Sequence, residues 1–386
     1  MKPMVGIVAT AQTKYEPSKL DLHLTELALE VVDKLLEETE VGFSDNGDGI
    51  SGIVTCAQDH WDGRTICSMA LPDVTGGHLR DEQKIASDGA NAVFYGVMQI
   101  LSGHHDVVLV VSHCQESQTE ARLIENFGID HIYHRLLGLD FLSCAAMQAN
   151  QYMNKYGISR QQCAKVAVKN RRNARGNPFA QAPADLSIED VINAPMLAYP
   201  ITALDTKPVS DGACALLLAT EDKAKKLTSK PIWIKGIANC YDTHFPGDRD
   251  LADCDSLVYA AKRAYSMAGI TNPFREIDVA EISESFSYQE LLWMEGLGFC
   301  QRGEGGQLID SGATEMGGEL PVNPSGGLLS GVPVTVAGLS RVAEAARQLR
   351  GEAGEYQVPE AKLAVAHGTA GLCGQVHCVL VLEKGA

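Results

Sequence analysis

The chain has 386 residues, 45% of them hydrophobic, enough for two or three core-forming units. A formal charge of −17 argues against general binding to nucleic acid or acidic membranes, and no apolar run approaches the roughly 18 residues that a membrane span needs. Eleven cysteines without a CxxC pair argue against a disulfide framework or a zinc site and point to a cytoplasmic protein with no metal. The start, MKPMVGIVATAQ, reads as a first strand and not a signal peptide. A helix pattern follows, with Leu20, Leu24, Leu27, Ala28, Val31 and Leu35 returning at helical spacing. SGIVTC predicts a second strand and, after a loop, residues 86–103 predict an apolar helix opened by a polar, glycine-containing turn. DVVLVVSH (106–113) has the composition of a buried strand.

Residues 121–205 are helical and more polar, and read as an inserted region. Residues 210–227 return to strand-and-helix composition and rejoin the first half. The α/β pattern then repeats. PIWIKGIANC, IDVAEIS, AKLAVAHG and VHCVLVLE predict strands, and 253–270 predicts a helix. In PVNPSGGLLSGVPVTVAG, glycines and prolines crowd ahead of another helix, whose Leu339, Val342, Ala343, Ala346 and Leu349 form one apolar stripe. The division expected is 1–120 for a first half, 121–205 for the insertion, 206–230 for the return, and 231–386 for a second half.

Six stretches occur in one order: YGISRQQCAKVAVKNRRNARGNPFA, SDGACALLL, AEISESFSYQELLWMEGLGFC, LPVNPSGGLLSG, QLRGEAG and HGTAG. Together they resemble the thiolase superfamily over nearly the whole chain, closest to sterol-carrier-protein-type and archaeal thiolases. The resemblance implies a duplicated five-layer α/β/α/β/α fold with an inserted lid. It also implies glycine loops and helix N-termini converging on a coenzyme A thioester, where unpaired N–H groups meet developing negative charge.

Three positions depart from the family pattern. Ala86 stands where a nucleophilic cysteine opens the first half's inner helix, Val332 replaces the histidine of the GHP motif, and Ser283 replaces the asparagine or histidine of NEAF or HDCF. Asp88 reads as a helix cap and the neighbouring Ser87 as a candidate hydroxyl. What remains for acid–base chemistry by resemblance is His367, Glu284 and Cys373, while Cys114, Cys144 and His113 are weaker candidates. For coenzyme A, the resemblance points to Ser325, Gly326, Gly327 and Gly368. The basic run with Lys169, Arg171 and Arg172 would serve its phosphates, or else form a solvated helix face.

The implied function is carbon–carbon bond formation or cleavage next to a coenzyme A thioester, by thiolysis or by retro-aldol or Claisen chemistry, in lipid or aromatic-acid metabolism. Coenzyme A serves as substrate, with no covalently bound cofactor. The partners implied are a second copy of the chain and a small zinc-ribbon/OB-fold subunit. The alternative is a non-catalytic thiolase-fold subunit that binds coenzyme A or scaffolds a partner.

Overall fold

The computed structural model describes residues 4–44 and 49–385. Residues 1–3, part of the stretch read as a strand and not a signal peptide, lie outside that range. Nine strands make one mixed sheet: β1 (Val5–Gln12), β2 (Gly52–Cys56), β3 (Asp81–Ile85), β4 (Val107–Gln115), β5 (Asp211–Thr220), β6 (Ile232–Tyr241), β7 (Val279–Glu281), β8 (Leu363–Ala370) and β9 (Val376–Lys384). Their order is β3-β2-β4-β5-β1-β6-β9-β8-β7. β1 to β5 belong to the first half and β6 to β9 to the second. The halves join where residues 5–7 of β1 run antiparallel to residues 232–234 of β6.

Among the described residues, the helices of ten or more residues are α1 (Leu24–Thr39), α2 (Gly89–Leu101), α3 (Phe141–Tyr156), α4 (Arg160–Asn173), α5 (Asp255–Ala268), α6 (Ser287–Gly296) and α7 (Ala337–Arg350). α2 and α7 pack on each other between the halves, α1 covers the outside of the first half, and α5 the outside of the second. This is the five-layer α/β arrangement. The helical region with α3 and α4 lies between β4 and β5 in the chain and packs on α6 of the second half.

Burial follows from these positions. α1 buries one stripe, Leu24, Leu27, Ala28, Val31, Val32 and Leu35, and starts after His23, which caps it. Leu20, expected in that helix, precedes it and is exposed. α7, expected to bury a single stripe, is covered on nearly all sides. Its polar groups therefore need internal partners. Arg341 reaches Glu281 at 2.6 Å, and Glu344 accepts from Gln12 Nε2 and Tyr356 Oη at 2.8 and 2.6 Å. β3 falls in a stretch expected to be loop. As an edge strand it packs only one neighbour, so DEQKI shows none of the apolar alternation that marks a half-buried strand.

Candidate active site

A cavity of about 460 Å³ opens where strand ends of the two halves meet. Its walls are the Gln58–Trp61 turn after β2, Ala86 to Asp88 at the mouth of α2, and Thr369 to Leu372 at the end of β8. Val334 adds to the wall, and Glu125, Gly128 and Phe141 of the inserted region complete the lining. Ligand sites in α/β sheets collect at such strand ends, because backbone groups and loop side chains converge there.

Asp88 organises the floor. It is the N-cap of α2, and its Oδ1 accepts from Ala90 N at 2.9 Å. Its Oδ2 accepts from Gly338 N, in the first turn of α7, at 2.7 Å. One carboxylate thus caps both inner helices. A Cβ on Gly338 or Gly368 would overlap this carboxylate, so both positions need the bare backbone. The ends of two helix dipoles are occupied by the protein's own carboxyl group. Burial outweighs these hydrogen bonds and pushes the Asp88 carboxyl up to about 7.

A prediction follows for stability. Asp88→Ala strands two buried N–H groups and is expected to cost about 2–4 kcal/mol in urea unfolding. Because the folded pKa is raised, the native state holds the proton longer than the unfolded chain. The group's contribution is therefore fully present below the ordinary carboxyl range and is lost as pH rises through about 7. The gap between wild type and Asp88→Ala should narrow over that window. A gap that widens with pH would contradict the assignment.

Two other titratable groups line the cavity under strong influence of burial. Glu125 ends a short helix, Ala121–Glu125, and burial raises its carboxyl to about 7, opposed by Lys207. Burial lowers the His60 imidazole against the pull of Asp59 and Asp62, and its ring lies 6.3 Å from that of Phe127. Trp61 and Phe141 give the lining an aromatic character. No cysteine is among the described residues that line the cavity. Cys56 lies behind the floor, donating toward Ser87 O and Thr335 O, and burial raises its thiol strongly.

The residues expected from sequence are distributed differently. Ala86 and Ser87 line the cavity. His367, Glu284 and Cys373 do not. His367 is fully buried, its Nε2 lies 2.8 Å from His377 Nδ1, and burial lowers its imidazole to about 3. Glu284 sits beside Glu290. Asn170 and Asn323 bridge the two carboxyls at 2.8–3.0 Å, and burial, then Glu290, raises Glu284 to about 8. Cys373 donates to the carbonyl of Cys144 at 3.3 Å, and burial pushes its thiol to about 12. Neither His367 nor Glu284 is therefore placed to exchange a proton with a molecule in the cavity.

The presumed coenzyme A contacts are likewise taken up internally. Lys169 pairs with Glu290 at 2.7 Å and donates to Val322 O. Arg171 is buried, its NH1 and NH2 3.4 Å from the carbonyls of Ala182 and Thr206, and exposed Arg172 pairs with Glu315. Ser325 donates from its hydroxyl to Glu281 and receives from Arg341. Gly326 and Gly327 turn at φ +100° and +61°, with Gly327 seated against Glu284. The NPSGG loop thus wraps around buried carboxyls, and Val332 packs in the core between the halves. Of the weaker candidates, Cys114 and Cys144 are buried thiols, and His113 lies 3.2 Å from Asp62. Sequence reasoning passed over His60 and Glu125. The turn directly after a predicted strand was the signal for His60; Glu125 lies in the inserted region and had none.

Comparison with known proteins agrees with this fold. Residues 4–186 match the model "Thiolase, N-terminal domain" and residues 238–384 match "Thiolase C-terminal domain-like". The chain belongs to the thiolase family. That family acts on coenzyme A thioesters and makes or breaks carbon–carbon bonds. An acetyl-CoA acetyltransferase of Methanothermobacter thermautotrophicus is 38% identical over 299 residues, covering 76% of this thiolase-family chain and 77% of its own. Sterol carrier protein 2 of Oryctolagus cuniculus is 32% identical, with 95% and 69% covered. A solved structure, "Ltp2-ChsH2(DUF35) aldolase", shares the fold at TM-score 0.85 and 24% identity, covering 98% of this chain and 97% of its own.

Proposed function

We propose that this thiolase-family protein cleaves or forms an acyl-CoA carbon–carbon bond by retro-aldol or aldol chemistry, without an acyl-enzyme. The observation that carries this reading is Ala86 at the helix mouth, in a cavity with no cysteine among its described lining residues. Thiolysis through a covalent thioester needs a thiolate there. Retro-aldol cleavage needs only a base for the β-hydroxyl proton and donors for the enolate oxygen. In this proposal the Glu125 carboxylate takes the hydroxyl proton, and the Cα–Cβ bond breaks as its electrons move into the thioester enolate. Neutral His60 donates a hydrogen bond to the enolate oxygen, and protonation at Cα completes the shorter acyl-CoA beside a ketone or aldehyde. The likeness to a structure described as an aldolase supports this reading.

The same structure's two-component name supports a hetero-oligomer, in which a small zinc-ribbon/OB-fold subunit joins a homodimer core. The unpaired edge of β3 offers a strand for pairing between copies.

Incubation with acyl-CoA thioesters should leave the intact mass unchanged. A stoichiometric acyl adduct mapped to any cysteine would return the protein to thiolysis. Absence of turnover on β-hydroxyacyl-CoA and β-ketoacyl-CoA substrates, with the partner present, would favour the non-catalytic subunit.

A further inference from the structure

On the outside of the first half, away from the cavity, three side chains converge. Asp81 opens the edge strand β3, and His104 and His105 stand in the turn between α2 and β4. His104 Nε2 lies 2.8 Å and His105 Nε2 3.4 Å from the same oxygen, Asp81 Oδ2. The potential ligand atoms of all three lie within 4.8 Å of one another.

His105 is the informative member. Its side chain is only 8% exposed, and its Nε2 faces Asp81 Oδ2 at 3.4 Å without an aligned hydrogen bond. A buried imidazole nitrogen so weakly satisfied calls for a reason for its orientation. The ring is held in place from behind. Ser51 Oγ lies 3.0 Å from Nδ1, and a Cβ on Gly52 would come 2.6 Å from His105 Cδ2. A hydroxyl on the far nitrogen is the outer contact that fixes the tautomer and direction of a metal-ligating histidine.

We propose that Asp81, His104 and His105 bind a divalent transition ion, zinc above all, with water completing a tetrahedron. Two imidazoles and one carboxylate are a donor set that zinc takes readily. Bonds of about 2.05 Å give ligand separations of about 3.3 Å; the two carboxylate–imidazole separations, 2.8 and 3.4 Å, stand close to that, and all three ligand atoms lie within 4.8 Å of one another. The ion would replace the contact between His104 and Asp81 and satisfy His105. It would tie the edge strand to the C-terminal end of α2, the helix whose other end is the floor of the cavity. Cysteine spacing gave no sign of this site because none of its ligands is a cysteine.

The test uses the full chain, stripped with a chelator and titrated with zinc chloride by calorimetry. One ion per chain is expected. His104→Ala and His105→Ala should each weaken binding at least 100-fold, and Ser51→Ala about 10-fold. His104 is exposed, so its variant tests the site without threatening the core. Zinc should raise the melting temperature of wild type and leave that of His104→Ala unchanged. Either no saturable binding or undiminished binding in a His104→Ala/His105→Ala double variant overturns the proposal. The second result, or a thiolate charge-transfer band with cobalt, would assign the metal to cysteines.

Discussion

Arg341→Met is expected to lower stability by about 3–5 kcal/mol at pH 8, the range for breaking one partner of a buried ion pair. Arg341 and Glu281 are both essentially inaccessible, and Arg341 NH1 also donates to Ser325 Oγ at 2.7 Å. Without the guanidinium, Glu281 must either stay charged in the core or take a proton. Burial already raises its carboxyl to about 7 against the pull of Arg341, and removing Arg341 raises it further. A group with a raised folded pKa favours the native state at low pH, so the loss should shrink as pH falls below 7. The double variant Arg341→Met/Glu281→Gln should recover much of the loss at pH 8. Denaturant midpoints for the three proteins at pH 5.5 and 8 decide the matter. A loss independent of pH would mean that Arg341 acts through packing alone.

Glu125→Gln is expected to lower turnover about 10²- to 10⁴-fold, the contribution of a positioned general acid–base group. The isosteric amide removes the proton exchange and leaves the shape of the lid. Wild-type kcat should rise with pH through about 7 as the carboxylate forms, and that limb should vanish in the variant. Melting temperature and coenzyme A binding should hardly change, because the amide keeps the side chain's shape and Glu125 ends a five-residue helix. Full turnover in the variant would remove Glu125 from the mechanism and leave Asp88 as the raised carboxyl on the cavity wall.

Much of the fold was legible because buried strands carry continuous apolar runs such as VVLVV (107–111) and the inner helices open on glycine-containing turns. β3 was not, since an edge strand can be built from charged residues. The site was legible in part. The position of Ala86 and the HGTAG turn lead to the cavity, while the NPSGG loop, expected to meet a thioester, wraps around buried carboxyls. Close backbone approach is needed equally by an internal carboxyl, and here Asp88 and Glu284 occupy that space. The basic run on α4 was open to two readings, phosphate contact or solvated face, and two of its three charges fit neither. Lys169 and Arg171 turn inward because Glu290 and backbone carbonyls wait there, on segments more than a hundred and some ten to thirty-five residues away. Pairings at that distance leave no trace in local spacing.

The shared cap has a bearing on how the two halves move. Asp88 and Gly338 stand 250 residues apart, yet the first turns of α2 and α7 lean on one carboxyl group. Neither turn can fray without unseating the other, so widening at the cavity floor is concerted across the pseudo-repeat. Selection at either glycine-rich segment is then never local. A change that suits one half's loop must be tolerated by the other half's helix, and the two repeats are bound to diverge as a pair.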